Sequence, residues 1–328
     1  MKDKSLIVVT GAAGMIGSGI VRCLNDRGFS NLLLVDDFKQ SDKWKNLLGK
    51  RFYDIISRHV IFDYLLGKEN IIDAVIHMGA CSDTEEKNGD YLMENNYRFS
   101  VRLAEWALSY NKRFIYASSA ATYGDGSMGF SDNEDAIEQL RPLNMYGFSK
   151  HLFDLWLKRE GGLKKAVGLK FFNVFGPNEY HKGRMASMVL KMKDKVLTDG
   201  VIRLYKSTEP ERFKDGEQCR DFIYIKDAVR MACDFLLPQN ISIAGLFNIG
   251  RGETSTWNQL ARSLFTALGK KEQIEYIDMP LDLAKQYQNY TCADMNKFQK
   301  KFPGYRPTAI ADAVCDYAQE YLLRNARW

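Results

Sequence analysis

A short apolar run, Leu6 to Thr10, passes directly into Thr10-Gly11-Ala12-Ala13-Gly14-Met15-Ile16-Gly17, and this stretch constrains the fold more than any other in the chain. A buried strand that meets spaced glycines and then a helix forms a tight turn. Gly11 permits the turn, Gly14 lets the backbone approach a pyrophosphate, and Gly17 allows the helix to pack closely. The free N–H groups and positive dipole end of that helix, at Met15 and Ile16, favour an anion. Asp36 stands 19 residues beyond Gly17, at the end of the second apolar run, Asn31 to Asp36, where a carboxylate can meet a ribose hydroxyl. A bare glycine motif can be only a structural turn. The strand before it, the helix after it and Asp36 beyond it favour a nucleotide site.

The alternation of apolar runs with helical patterns continues and predicts parallel βαβ units. Helices are expected at Gly17 to Arg27, Asp90 to Ser109 and Tyr146 to Arg159. Strands are expected at Ile72 to His77, Phe114 to Ala117 and Val167 to Asn173, before Gly176-Pro177 breaks the pattern. The expected class is α/β, a doubly wound parallel sheet over residues 1–173 with a smaller C-terminal domain over 174–328. Phe222 to Ile225 and Leu246 to Ile249 read as strands returning to the first domain, within a segment near 218–250.

With 328 residues, 45% hydrophobic and 27% charged, the chain has the balance of a globular enzyme of about two domains. The net charge of +5 is not gathered into a basic run, which speaks against nucleic acid and suits a small anionic ligand. Six scattered cysteines form no CxxC and have no histidines at ligand spacing, so reduced thiols, no metal site and a cytoplasmic setting are expected. No apolar stretch approaches about 18 residues, so no membrane span is expected.

Asn144-Met145-Tyr146-Gly147-Phe148-Ser149-Lys150 places a phenol and an ammonium one helical turn apart on one face. A fixed positive charge lowers a phenol's pKa, so Tyr146 is expected to exchange a proton near neutral pH. An isolated YxxxK is usually a surface pair. Here Ala117-Ser118-Ser119-Ala120-Ala121-Thr122-Tyr123-Gly124 stands upstream. Ser119, Tyr146 and Lys150 together resemble the catalytic triad of the extended short-chain dehydrogenase/reductase family, and the TGxxGxxG loop matches that family's form. The resemblance implies a Rossmann sheet and a nicotinamide dinucleotide held by Gly11, Gly14, Met15, Ile16, Gly17, Asp36, Asp37 and Lys150. Met78-Gly79-Ala80-Cys81-Ser82, after the fourth strand, would run beside it, and Asn95 would contact the cofactor or support the site. Asp36 suits a free 2′-hydroxyl, whereas Lys39, Lys43 and Arg58 could neutralise a 2′-phosphate. Charge alone leaves NADP and NAD even, and Asp54-Ile55 is a candidate adenine contact.

A narrower resemblance extends over nearly the whole chain. Phe171-Phe172-Asn173-Val174-Phe175-Gly176-Pro177, His181-Lys182-Gly183 with Met185-Ala186-Ser187, Arg220-Asp221-Phe222 and Phe247-Asn248-Ile249-Gly250 are similar to the ADP-glyceromanno-heptose 6-epimerase family. That likeness favours NADP and implies an ADP-heptose substrate, a role in supplying heptose to the lipopolysaccharide inner core, and a homo-oligomer, with a pentamer one candidate. It implies cofactor contacts from Val174 and Lys182, and substrate contacts from Ser119, Asn173, Arg184, Lys191, Tyr205, Lys206, Arg220 and Tyr287. Arg184 stands where family members commonly carry Ser, and the chain is a few residues longer than the family pattern around Ser207 to Glu217. Bland readings exist for each: Asn173 as a turn cap, Arg220-Asp221 as an exposed ion pair, Lys182 as a solvated charge.

The chemistry so implied is transient oxidation of C6 to a ketone and return of the same hydride to the opposite face. Tyr146 and Lys182 would serve as the two acid/bases, Lys150 would hold the nicotinamide ribose, and Ser119 would hydrogen-bond the reacting oxygen. Two rivals stand beside it: a UDP-hexose 4-epimerase, and a non-catalytic nucleotide sensor on the same fold. A dehydratase would need a carboxylic acid beside the serine, where Ala120-Ala121 stand.

Overall fold

The computed structural model describes residues 6–284 and 287–328, which divide into two compact units. The first comprises residues 6–124, 132–171 and 229–248. Its sheet has seven strands: β1 (Leu6–Thr10), β2 (Leu32–Val35), β3 (Asp54–Ile56), β4 (Ile72–His77), β5 (Arg113–Ser119), β6 (Val167–Phe171) and β7 (Gly245–Ile249). Their order is β7-β6-β5-β4-β1-β2-β3, with parallel pairing from β6 through to β3. β1 and β2 are buried at every position, as strands covered on both faces require, so they read as unbroken apolar runs. The order reverses direction beside β1, and a doubly wound sheet opens its ligand crevice there, beyond the carboxyl ends of the strands.

Three helices position side chains at that end. Helix α1 (Met15–Asp26) starts from Gly14. Helix α2 (Phe99–Ser109) continues a helical stretch through Gly89–Leu92 and a π-helical turn at Met93–Arg98, so the single long helix expected from Asp90 to Ser109 contains a change of hydrogen-bond pitch. Helix α3 (Met145–Arg159) is capped by Asn144, whose side-chain oxygen accepts from the Gly147 N–H at 2.8 Å.

The second unit comprises residues 125–131, 172–228 and 249–328. It is held by three small pairings. Asn173–Phe175 runs parallel to Phe222–Tyr224, Ile202–Tyr205 parallel to Ile274–Ile277, and Cys219–Arg220 antiparallel to Ser255–Thr256. The strand expected at Phe222 to Ile225 therefore does not return to the main sheet, whereas β7 does. The strand expected at Val167 to Asn173 also ends early. Beyond Phe171 the Phe172 N–H turns to Ile249 O, and Asn173 opens a pairing of its own. Two-residue and three-residue strands carry too little periodicity to be seen in sequence.

Candidate active site

The glycine loop is built as its residues dictate. A Cβ at Gly11 would lie 2.7 Å from Gly79 Cα, and one at Gly17 would lie 2.0 Å from Gly11 O, so backbone approaches backbone where any side chain would intrude. The first turn of α1 points N–H groups without intrahelical acceptors away from the strand, a fit for phosphate oxygens. Asp36 latches this loop: its carboxylate accepts from the Ala13 N–H at 2.7 Å and the Asp37 N–H at 2.8 Å, and pairs with Lys43 at 2.6 Å. Asp37 pairs with Arg58 at 2.7 Å and accepts from the Ser57 hydroxyl; although burial raises its pKa, the hydroxyl and Arg58 carry it below the usual carboxylate range. Asp54 and Ile55, expected at an adenine, lie in the edge strand β3.

The residues after β4 are fixed from two sides. Thr10 Oγ1 accepts from the Gly79 N–H at 3.1 Å and meets His77 Nδ1 at 2.6 Å, while His77 Nε2 meets Ser100 Oγ at 2.9 Å. Burial, with Lys150 nearby, holds the His77 pKa down to about 3, so this ring is neutral and structural. Asn96 clamps Cys81: its Oδ1 accepts from the Cys81 N–H at 2.8 Å, and its Nδ2 donates to Cys81 O at 3.0 Å and to Ser149 Oγ at 3.1 Å. Asn95, expected to contact the cofactor or support the site, donates to Asn96 Oδ1 at 2.9 Å. Asn96 thus joins the strand-end loop, the π turn and α3, a role hidden in a doublet of which only the first Asn was singled out.

Ser119 ends β5 and Tyr146 begins α3, and their side chains hydrogen-bond. Ser119 Oγ also accepts from the Ala121 N–H at 3.1 Å. Lys150 Nζ donates to Ala117 O at 2.9 Å, which places the ammonium under the same strand end. The strand thus brings together the three residues of the expected triad. One expectation is corrected. Burial pushes the Tyr146 phenol above its ordinary pKa, and the opposing Ser119 hydrogen bond does not reverse this. Burial also lowers Lys150 to about 8, despite the upward pull of Asp154 and Cys81. Desolvation is the largest influence on both groups, since it disfavours the phenolate and the ammonium alike.

Beneath the triad lies an ion pair that sequence reading missed. Lys170 and Asp154 meet at 2.7 Å with both side chains fully buried. Asp154 also accepts from Tyr116 Oη at 2.7 Å and Ser118 Oγ at 2.8 Å, and Lys170 donates to Thr122 Oγ1 at 2.7 Å. Asp154 follows Lys150 by one helical turn, so Tyr146, Lys150 and Asp154 share a face of α3. That spacing was the available signal.

In the second unit, Arg220 is buried and lies 4.9 Å from the centroid of the Tyr287 ring, whose hydroxyl accepts from Trp257 Nε1 at 2.8 Å. The reading of Arg220-Asp221 as an exposed ion pair fails: Asp221 is fully buried and accepts from the backbone of Arg251, Gly252 and Ala293. Tyr205 ends the strand Ile202–Tyr205, and Lys206, the next residue, pairs with the exposed Asp278 at 2.9 Å. Lys191 Nζ donates to Arg184 O at 2.6 Å, and Asn173 and Val174 open their short strand. Lys182 sits in the helical turn Tyr180–Met185, and burial lowers its pKa against the upward pull of Glu179. Among the described residues no group of three His, Cys, Asp or Glu side chains is placed to hold a metal ion, and no helix is long and apolar enough to cross a membrane. The six cysteines are free thiols.

The sequence profile of the NAD dependent epimerase/dehydratase family matches residues 7–250. The chain belongs to this family. Other members lie close over their full length. An ADP-L-glycero-D-manno-heptose-6-epimerase of Nitratidesulfovibrio vulgaris (strain DP4) is 47% identical, covering 97% of this chain and 98% of the relative. A protein of the same name from Fusobacterium nucleatum is 42% identical over 98% and 99% of the two chains. Among solved members, the ADP-L-glycero-D-manno-heptose-6-epimerase of Helicobacter pylori superposes with a TM-score of 0.79 at 26% identity, covering 97% of this chain and 96% of that one. The UDP-glucose 4-epimerase of Thermotoga maritima, crystallised with UDP-glucose, gives 0.77 at 25% identity over 98% and 99%. As an epimerase/dehydratase family enzyme the chain uses a nicotinamide dinucleotide.

Proposed function

We propose that this enzyme epimerises C6 of the heptose in ADP-D-glycero-β-D-manno-heptose to give ADP-L-glycero-β-D-manno-heptose. The observation that carries the reading is the near-complete coverage of the 47%-identical heptose epimerase, which extends through the second unit as well as the nucleotide loop. The family also includes 4-epimerases and dehydratases, and the triad alone does not separate them.

When bound, the nicotinamide dinucleotide supplies the hydride acceptor and donor. The chain's own residues manage the proton and the oxygen. Ser119 and Tyr146, already hydrogen-bonded to each other, both reach the C6 oxygen, and Tyr146 takes its proton as the carbonyl forms. Ser119 donates to the carbonyl oxygen, where charge gathers when the alcohol re-forms. Lys150 binds the ribose hydroxyls and offers a positive charge to the Tyr146 phenolate, which counters the burial that otherwise keeps the phenol protonated. Inversion presents the other carbonyl face and relocates the oxygen, so a second acid/base is needed. Lys182, whose ammonium is already weakened by burial, fills that role. Arg220, stacked on Tyr287, and the neighbouring Tyr205 and Lys206 take the ADP-sugar together with Asn173, Arg184 and Lys191.

The proposed cofactor is NADP. Asp36 spends its charge on Lys43 and the Ala13 N–H, which lessens its repulsion of a 2′-phosphate. Acid extraction of the purified protein should release NADP(H), and recovery of NAD alone would reject this part. A cytoplasmic homo-oligomer completes the proposal, with light scattering the check on assembly. The deciding experiment incubates the enzyme with ADP-D-glycero-β-D-manno-heptose and separates the C6 epimers, with a UDP-hexose in parallel. Conversion of the UDP-hexose alone would replace this reading with the 4-epimerase one, and conversion of neither would favour a nucleotide sensor.

A further inference from the structure

At the amino-terminal edge of the sheet, away from the glycine loop, β5 begins with a buried cation. Arg113 is only 7% exposed, and among the described residues its Nε and Nη2 donate to one acceptor, the neutral Phe235 O, at 3.2 and 3.0 Å. Burial alone draws its pKa down to about 10. A buried charge with no opposite charge beside it is costly, and proteins normally pair such a group. Arg113 opens on a cavity of about 640 Å³, a size usual for small-molecule sites. Lys112, Lys164 and Lys165 line the same cavity, and Asp73 is the one carboxylate among its described lining residues. No described carboxylate forms a salt bridge with any of these four cations. Leu236 and Ile241 supply an apolar wall.

We infer that this cavity is a second ligand site, which binds a small organic molecule through a phosphate group held by Arg113 and the three lysines, with the molecule's apolar body against Leu236 and Ile241. Several cations around one concavity match the charge and many acceptor lone pairs of a phosphate, and a guanidinium engages it bidentately. The ligand is not the nucleotide of the glycine loop. β5 runs from Arg113 to Ser119, six steps of roughly 3.3 Å, so the two ends lie about 20 Å apart.

The test is calorimetric titration of the full enzyme, pre-saturated with NADP and ADP so that the loop site is filled. Phenyl phosphate and inorganic phosphate serve as probes. Phenyl phosphate is expected to bind saturably at or below about 1 mM and more tightly than inorganic phosphate. Lys164→Glu/Lys165→Glu should weaken it at least about tenfold while leaving epimerisation unchanged. Arg113→Gln should abolish binding, and the lysine variant keeps the test alive if Arg113→Gln does not fold. Absence of saturable binding, or binding indifferent to the lysine reversal, overturns the site and returns Arg113 to a tie for Phe235 O. Equal affinity for the two probes overturns the organic ligand.

Discussion

Replacing Asp154 with alanine strikes the support of the active site without touching a group that meets substrate. Asp154 offers its carboxylate to Lys170, Tyr116 and Ser118 at 2.7, 2.7 and 2.8 Å, and neither it nor Lys170 is accessible to solvent. Asp154→Ala leaves the Lys170 ammonium in a dry interior with only Thr122 Oγ1 and the face of Tyr123. Breaking a buried pair in this way costs about 3–5 kcal/mol, and each orphaned hydroxyl adds on the order of 1 kcal/mol. Against a typical total of about 5–15 kcal/mol that is a large fraction. Urea unfolding followed by fluorescence and circular dichroism should therefore show a midpoint far below wild type. The mechanism is tested by Asp154→Ala/Lys170→Met, which removes the stranded charge and should recover at least about half of the loss. A loss under about 1 kcal/mol in the single variant, or a double variant no more stable than the single, would refute the argument that an uncompensated charge is the cause.

Lys150→Met should lose bound dinucleotide and turnover, yet its stability relative to wild type should vary with pH in a definite direction. The folded pKa of Lys150, about 8, lies below the unfolded value, so wild type carries a penalty at pH 7 that fades between about pH 8 and 10.5. Wild type should therefore gain on the variant as pH rises through that window, and parallel melting-temperature curves would contradict this. Lys182→Met and Tyr146→Phe should each slow epimerisation by about 10²–10⁴-fold, measured by chromatographic separation of C6 epimers. A substrate analogue with an aldehyde at C6, which can disproportionate without inversion, separates the two bases, and near-wild-type epimerisation by Lys182→Met would leave Tyr146 as the single base. Gly17→Ala puts a methyl 2.0 Å from Gly11 O, so the protein should purify with little or no nicotinamide, as read by absorbance after acid extraction. Arg220→Met should raise KM for the ADP-sugar more than it lowers kcat, since its guanidinium stacks on Tyr287 and is proposed to bind the substrate and not to move a proton, and an unchanged KM would remove it from the substrate site.

What could be read from the chain divides by the range of the forces involved. β1, the glycine loop and α1 are contiguous, and their apolar run, turn and helix are local in origin, so residues 6–26 reveal the sheet before any coordinate does. Tyr146 and Lys150 are one turn apart and declare a shared face. The state of the Tyr146 phenol was not legible, because desolvation depends on what covers the side chain, and that cover comes from β5 and the Cys81 loop. Asn96, Asp154 and Asp221 escaped for a related reason. Each is a polar residue whose partners lie far along the chain, and nothing in its neighbours announces that it will be buried. The second unit was the least legible, because its paired segments are two to four residues long and long-range pairing decides them.

The latch at Asp36 has a consequence for anyone wishing to retune cofactor choice. The usual lever for exchanging one nicotinamide dinucleotide for another is the acidic residue at the end of the second strand. In this chain the same carboxylate fastens the glycine loop through the Ala13 N–H and anchors Lys43. Substituting it changes selectivity and loop geometry in a single stroke, so a redesign must first provide Ala13 with another acceptor. Natural drift faces the same coupling, and preference at this position can move only along routes that keep the loop fastened.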